Sequence, residues 1–407
     1  MPPCARARIS RSRDLHAEEL AATEFSRILI IKLSALGDVI HTIPVLHKLR
    51  RRYRNARIDW LTSPAIAELL RPHAAISNVI QIARNDWLSP SRWSALAATN
   101  YDLVVDMHGQ LRTALLTLAT KAPVRIGFDR PRASVWKTSS RVLPRQARRH
   151  AWKGAREGSW IAYTHHMPVP TLEAHAVDRY LRVGAMLGCD REAADFSMTI
   201  APRPRARIQV LLDQHRLGEK LLTIAPGTIW ETKHWRAERF AEVARHFISR
   251  SFSVALIGSA REVEACNAVA AAAPGAANFA GQTTLPELAA LVERSTICLT
   301  NDSGPMHLAV ALGRPVVSIF GPTDPIWIGP YGRPHAVLQA QLPCSPCYLR
   351  VLSRCRYDHA CMQQVSAAAV IERMDRELAA PAHPPLRSER SDRNARGGPR
   401  VNAVEGA

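Results

Sequence analysis

The stretch CLTNDSGPMHLAVALGRPVVSIFGPTDP, residues 298–325, decides how this chain is built. An apolar run ends at Leu299, and Asn301, Asp302, Ser303 and Gly304 break it. A helical pattern then starts at Pro305 and His307. A second apolar run, Val316 to Phe320, stops at Gly321-Pro322-Thr323-Asp324. Short apolar runs without polar alternation read as strands buried on both faces. Two such runs joined through a helix predict a parallel βαβ unit with both loops at the carboxyl ends of its strands.

Working outward, the same pattern repeats. Residues 221–226 (LLTIAP) and 253–258 (SVALIG) read as further strands, and 235–249 and 284–294 as helices. In the first half, RILIIKL (27–33), RIDWLTS (57–63), NVIQIA (78–83), DLVVDM (102–107) and VRIGF (124–128) read as strands separated by helical segments. Between the halves, FSMTIAPRPRA (196–206) carries two prolines and reads as a linker. The organisation expected is a loose extension over 1–25, a first domain over 26–200, a second over 207–365, a closing helix over 366–380 and a disordered Pro/Gly/Arg-rich tail over 381–407. The fold class is therefore α/β, with two doubly wound domains in tandem. Ligands of such sheets bind beyond the strands' carboxyl ends, so two facing domains make a cleft.

The length of 407 residues suits two cores of about 150–200 residues. No run approaches the ~18 apolar residues of a membrane-spanning helix. Residues 265–286 carry no charge, but Pro274, Gly275, Asn278 and Gln282 interrupt them. The basic N-terminus lacks the apolar core of a secretion signal, which points to the cytoplasm. The formal charge is +19, and residues 121–156 hold eleven Lys or Arg against the single acid Asp129. Such a field attracts polyanions, although an arginine-rich solvated face gives the same count. Aromatic residues do not interleave with the basic ones, and no helix-turn-helix or zinc-finger pattern appears. An anionic membrane surface or an anionic substrate is therefore favoured over nucleic acid, with Arg145, Arg148 and Arg149 as candidate contacts. Cys344, Cys347, Cys355 and Cys361 cluster, but only the first two have CxxC spacing, so packed thiols are expected ahead of a structural metal.

The chemistry-bearing residues sit at strand ends. Ser303 can cap the following helix and Gly304 lets a ligand approach its backbone, which suits a diphosphate at the helix N-terminus. His307 can face the same group. An ordinary cap with Asp302 is the plainer alternative. In PGTIWETKHW (226–235), Thr228 and Lys233 are candidate phosphate contacts, while Trp235 reads as core. In KLSALGDVIHT, Asp38 stands where a general base would meet an acceptor hydroxyl, or where a helix cap would sit. The absence of a P-loop and of GxGxxG disfavours a nucleoside triphosphatase or a dehydrogenase.

These segments together resemble the ADP-heptose:lipopolysaccharide heptosyltransferases. The likeness rests on ILIIKLSALGDVIHTIPVLHKLR, PGTIWETKHW and TNDSGPMHLAVALGRPVVSIFGPTDP, and spans about residues 27–379. YDLVVDMHGQLRTALL, EAHAVDRYL and HAAISNVIQIA look closest to the branch that adds the first heptose, whereas the cysteine cluster is more similar to other branches. The resemblance implies a GT-B fold, with acceptor on the first domain and sugar nucleotide on the second. It implies inverting transfer from ADP-heptose to the Kdo of lipid A, with no cofactor and no metal. It also implies Asp38 as base, and Thr228, Lys233, Asp302, Ser303, Gly304 and His307 around the ADP diphosphate, with Glu262 near the ribose. It places the enzyme in the cytoplasm, peripheral on the inner membrane. Two other readings stay open: a GT-B transferase for another sugar nucleotide, and a non-enzymatic polyanion-binding protein.

Overall fold

The computed structural model describes residues 17–83, 85–130, 154–168 and 174–380. Arg145, Arg148, Arg149, the first sixteen residues and the tail from 381 lie outside the described residues.

The apolar runs become the central strands. The first sheet comprises β1 (Arg27–Ile31), β2 (Arg57–Thr62), β3 (Asn78–Gln81), β4 (Leu103–Asp106), β5 (Val124–Phe128) and β6 (His165–Met167), in the order β3-β2-β1-β4-β5-β6. The second comprises β7 (Leu221–Ala225), β8 (Ser253–Leu256), β9 (Ala276–Asn278), β10 (Ile297–Asn301), β11 (Val316–Phe320) and β12 (Val337–Gln339), in the order β12-β11-β10-β7-β8-β9. Both sheets have six strands, and every pairing is parallel. Counted within each domain the two orders are identical, 3-2-1-4-5-6, the doubly wound arrangement. Its switch point lies between β1 and β4 in the first domain and between β7 and β10 in the second. The expected two-domain α/β fold is what forms.

Burial explains the strand choice. All five residues of β7, of β10 and of β11 are buried, and so are Ile28 to Ile31 of β1. Three strands escaped the sequence reading, β6, β9 and β12, each three residues long and each at a sheet edge. A lone edge strand of HHM, AAN or VLQ carries no period to detect.

Two boundaries differ from expectation. Within the expected loose extension, the helix Ala17–Ala22 buries Leu20. Phe25 packs edge-on to Tyr53 with ring centres 5.5 Å apart. The basic character of 1–25 concealed these two apolar anchors. The supposed linker contains a helix start, because Pro202 and Pro204 fall in the first turn of the helix Pro202–Gln214, where a missing N–H costs nothing. The closing helix, Ala367–Ala379, packs against β11 and the helix Ala237–Ser249, so it belongs to the second domain.

The two domains touch along one seam. One apolar cluster joins Ile40, Leu69 and Val177 of the first domain to Leu308, Leu291 and Phe320 of the second. The helix Leu36–Arg52, which leaves β1, packs on the helix Gly304–Ala311, which leaves β10. Both helices start at a switch point, so their first turns meet head to head.

Candidate active site

The meeting of those two turns depends on glycine. A Cβ on Gly37 would lie 2.3 Å from Cδ2 of His307, and one on Gly304 would lie 3.0 Å from Cδ2 of Leu36. Side chains there would force the helices apart. Across this contact His41 Nε2 and His307 Nδ1 share a 2.9 Å hydrogen bond. His175 Nε2 donates to the Gly329 carbonyl at 2.9 Å, and Tyr331 donates to Asp178 at 2.8 Å, both again between domains. Burial pushes His307 down to about 4 and His175 down to about 3, so the seam is built of neutral imidazoles.

On the first-domain side, Asp38 is the third residue of its helix; the cap position belongs to Ala35. Asp38 is therefore no cap. Its carboxylate accepts from Tyr180 Oη at 3.2 Å and lies 4.0 Å from Lys32 Nζ, with 47% of the side-chain surface still open. Lys32 is buried and donates to the Met107 carbonyl at 2.7 Å and to Tyr180 Oη at 3.0 Å. Burial works against the Asp38 charge, but Lys32 foremost, with the Tyr180 hydrogen bond, outweighs it and holds the carboxyl below the usual range. Lys32 is in turn held charged: burial disfavours its charge, and Asp38 and Tyr180 overcome that. Asp38 is thus an ionised, half-open carboxylate fixed from behind by a lysine–tyrosine pair.

On the second-domain side, Lys233 sits in the short 3-10 turn Glu231–Lys233 that follows β7. Its Nζ pairs with Asp302 Oδ2 at 2.6 Å, and Thr323 donates to the same oxygen at 2.6 Å. Lys233 also lies over the Trp230 ring at 4.3 Å, and Arg350 over the same ring at 4.7 Å. Of the loop expected around a diphosphate, the Asp302 carboxylate pairs with Lys233 and Thr323, and His307 Nδ1 with His41. Ser303 occupies the cap position without a side-chain cap bond, its hydroxyl donating instead to the Asn301 carbonyl at 3.3 Å. Gly304 and the first-turn amides remain at the seam.

Thr228 and Glu262 line a cavity of about 470 Å³ with His234, Ser259 and Arg261, beyond β7 and β8. Its floor is tight: Glu262 accepts from the Ser259 amide at 2.7 Å, and a Cβ on Gly227 would fall 2.5 Å from Cγ of Glu262. Trp235 is core as expected, donating to the Val365 carbonyl at 2.9 Å.

The structure thus brings Asp38, Lys233, Asp302, Ser303, Gly304 and His307 around one seam, with Thr228 and Glu262 in the adjoining cavity. Lys32, Tyr180, His41, Trp230, Thr323 and Arg350 were missed. Each gains its role from a partner far away in the chain. The four clustered cysteines are free thiols. Burial raises Cys344 and Cys347 and pushes Cys361 up to about 12. Among the described residues no group of three or more His, Cys, Asp or Glu is placed to hold a metal ion.

The family model for glycosyltransferase family 9 (heptosyltransferase) matches residues 91–151 and 140–357. The chain belongs to glycosyltransferase family 9. Lipopolysaccharide heptosyltransferase 1 of Pseudomonas aeruginosa is 33% identical over 339 residues, covering 79% of this chain and 86% of that protein. Its namesake in Escherichia coli K12 is 27% identical over 77% of this chain and 93% of that protein. Among solved structures, the family 9 glycosyltransferase of Veillonella parvula superposes with a TM-score of 0.70 at 22% identity, covering 88% of this chain and 98% of that one. The E. coli heptosyltransferase WaaC with ADP superposes with a TM-score of 0.62 at 26% identity, covering 86% and 99%. This family 9 chain is a glycosyltransferase with the GT-B fold.

Proposed function

We propose that this glycosyltransferase moves heptose from ADP-heptose to the Kdo of the lipopolysaccharide inner core, with inversion at the anomeric carbon. One observation carries the reading: an ionised, half-open carboxylate at one switch point meets a lysine-bearing, glycine-opened helix start at the other. The relatives named lipopolysaccharide heptosyltransferase 1 support the donor and acceptor, as does a solved WaaC complex with an ADP-heptose analogue.

The first domain holds the acceptor and the second the sugar nucleotide. Asp38 accepts the proton of an acceptor hydroxyl as that oxygen attacks the anomeric carbon. The bond from that carbon to the diphosphate oxygen breaks, and its electron pair leaves with ADP. Charge grows in the sugar ring and on the leaving oxygen, as in glycoside hydrolysis. Lys233 and the amides of the Ser303–Gly304 turn meet the growing negative charge, and stabilise it most when the bond is nearly broken. Asp302 and Thr323 orient Lys233. His307 ties this turn to the Asp38 helix through His41. Thr228 faces the phosphate side of the cavity and Glu262 the ribose side. No metal ion or cofactor enters the step. The enzyme works in the cytoplasm, on the inner face of the inner membrane, where Arg145, Arg148 and Arg149 meet anionic headgroups.

Incubation with ADP-heptose and Kdo₂-lipid A tests this directly. The expected product is heavier than the acceptor by one heptose. A product formed only from a UDP- or GDP-sugar, or none at all, would refute it.

A further inference from the structure

The second-domain side of the seam holds a balanced ion pair rather than a free cation. Lys233 meets Asp302 at 2.6 Å, so their charges offset each other locally. His307 is neutral. What remains is the partial charge of the first-turn amides, about half an elementary charge at a helix start. A leaving diphosphate carries several negative charges and is held best where cations outnumber acids.

The Trp230 ring carries a second cation. Lys233 Nζ lies 4.3 Å from the ring centre and the Arg350 guanidinium 4.7 Å. Arg350 is exposed, and among the described residues its side chain meets no carboxylate. It lines a cavity of about 290 Å³ with Trp230, Tyr348, Leu349, Val351 and Arg354, none of them acidic. Its backbone is anchored on both sides. Thr232 Oγ1 donates to the Leu349 carbonyl at 2.6 Å, and the Leu352 amide donates to Glu231 Oε2 at 2.9 Å. The Cys347 and Tyr348 amides donate to the Pro322 carbonyl at 3.0 and 2.7 Å. Residues 347–352 are thus hung between the loop that bears Lys233 and the loop that bears Thr323, which follow β7 and β11. Tyr348 carries the cavity toward the seam. The Asp324 amide donates to its hydroxyl at 3.3 Å, and the charges of Asp302 and of Arg179 in the first domain both reach it.

The loop 226–235 has two sides. Thr228 and His234 face the cavity proposed for the nucleoside, and Trp230 faces the arginine cavity. Lys233 stands in the chain between Trp230 and His234, with its Nζ on the Trp230 side. A nucleotide whose nucleoside fills the first cavity turns its outer phosphate, the one joined to the sugar, toward the second.

We infer that Arg350, held on Trp230, is a further catalytic residue whose guanidinium donates to the sugar-linked phosphate and supplies the net positive charge that the Lys233–Asp302 pair lacks. As the bond to the anomeric carbon breaks, its electron pair settles on an oxygen of that phosphate, which a planar fork of N–H donors fits. The inference rests on the reading of a sugar-nucleotide donor, and its test is separable from that reading.

The experiment compares the full chain with Arg350→Met and Arg350→Lys. Calorimetric titrations with ADP, AMP and inorganic pyrophosphate are read beside steady-state transfer. Arg350→Met should weaken ADP and pyrophosphate binding about tenfold or more, lower kcat by about as much, and change AMP binding less than about threefold. The melting temperature without ligand should stay where it is, because the guanidinium is exposed. Arg350→Lys should fall between, since it keeps the charge and loses the fork. Unchanged binding of ADP and pyrophosphate in Arg350→Met would overturn the inference. So would equal losses for all three ligands, which a diffuse surface charge would give. A change confined to the KM of the acceptor would also overturn it, since the arginine would then serve the acceptor's own anionic groups. If the wild type binds pyrophosphate but prefers UDP or GDP to ADP, the donor reading fails while the pyrophosphate comparison still reads Arg350.

Discussion

Two aspartates stand at the two switch points, and their surroundings give them opposite roles. Asp38 follows β1 and keeps 47% of its side chain open; its nearest cation, Lys32, is 4.0 Å away and committed to Met107 and Tyr180. Asp302 follows β10 with only 5% of its side chain open, and its Oδ2 takes both Lys233 and Thr323 at 2.6 Å. On the proposed reading, the first carboxylate keeps lone pairs for a proton, while the second gives its Oδ2 to aiming a lysine. A base needs a free, ionised oxygen within reach of its substrate. A phosphate site needs net positive charge, which a naked carboxylate would oppose. On the proposed reading, the same residue type at the same topological position serves either task, according to what packs behind it.

That contrast can be broken at several points. Asp38→Asn should cut transfer by about 10²- to 10⁴-fold, or ~3–5 kcal/mol of barrier, in steady-state assays. A rate equal to wild type would return Asp38 to a structural role. Lys233→Met should lower kcat by about 10²- to 10³-fold, as for loss of one donor to a developing anion. Gly37→Ala places a methyl 2.3 Å from the His307 ring and should open the seam. A loss of roughly 10²-fold in transfer is expected from the displaced geometry, with a larger radius of gyration in small-angle scattering. An unchanged rate with an unchanged radius would show that the glycine contact does not govern closure.

Lys32→Met sharpens the comparison through pH. Lys32 is the chief group holding the Asp38 carboxyl low, so its removal lets that pKa rise. The base acts only when deprotonated. The acid limb of kcat/KM, which reports the free enzyme, should therefore move to higher pH in the variant. A limb that stays in place would separate Lys32 from Asp38. The smallest effect is expected at Ser303, whose hydroxyl makes no cap bond. Ser303→Ala should change transfer less than about threefold, within the range of substitutions that break no special contact. A tenfold loss would reveal a direct contact with the diphosphate.

The sequence carried the central strands because a parallel sheet buries both faces, and RILII, LLTIA and VVSIF are dominated by apolar residues with no polar alternation. It carried Asp38, Lys233 and the Asp302–His307 loop because each follows such a strand. It could not carry the partners. Lys32 and Tyr180 are 148 residues apart and meet through the packing of Ala176–Met186 on Leu36–Arg52. His41 and His307 are 266 residues apart and belong to different domains. The division between a free and a spent aspartate is written in those long-range pairs, so local spacing reads both as equivalent. The prolines at 202 and 204 misled for a related reason: proline ends a helix in its interior but suits the first turn, and only the structure shows which applies.

ADP-dependent thermal stabilisation of Asp38→Asn and Lys233→Met, measured beside transfer, tests this division of labour most directly. A ligand raises the melting temperature only through the state that binds it. Both variants should lose transfer; Asp38→Asn should keep the full ADP-induced rise and Lys233→Met should lose most of it. An ADP response abolished by Asp38→Asn and intact in Lys233→Met would contradict the account.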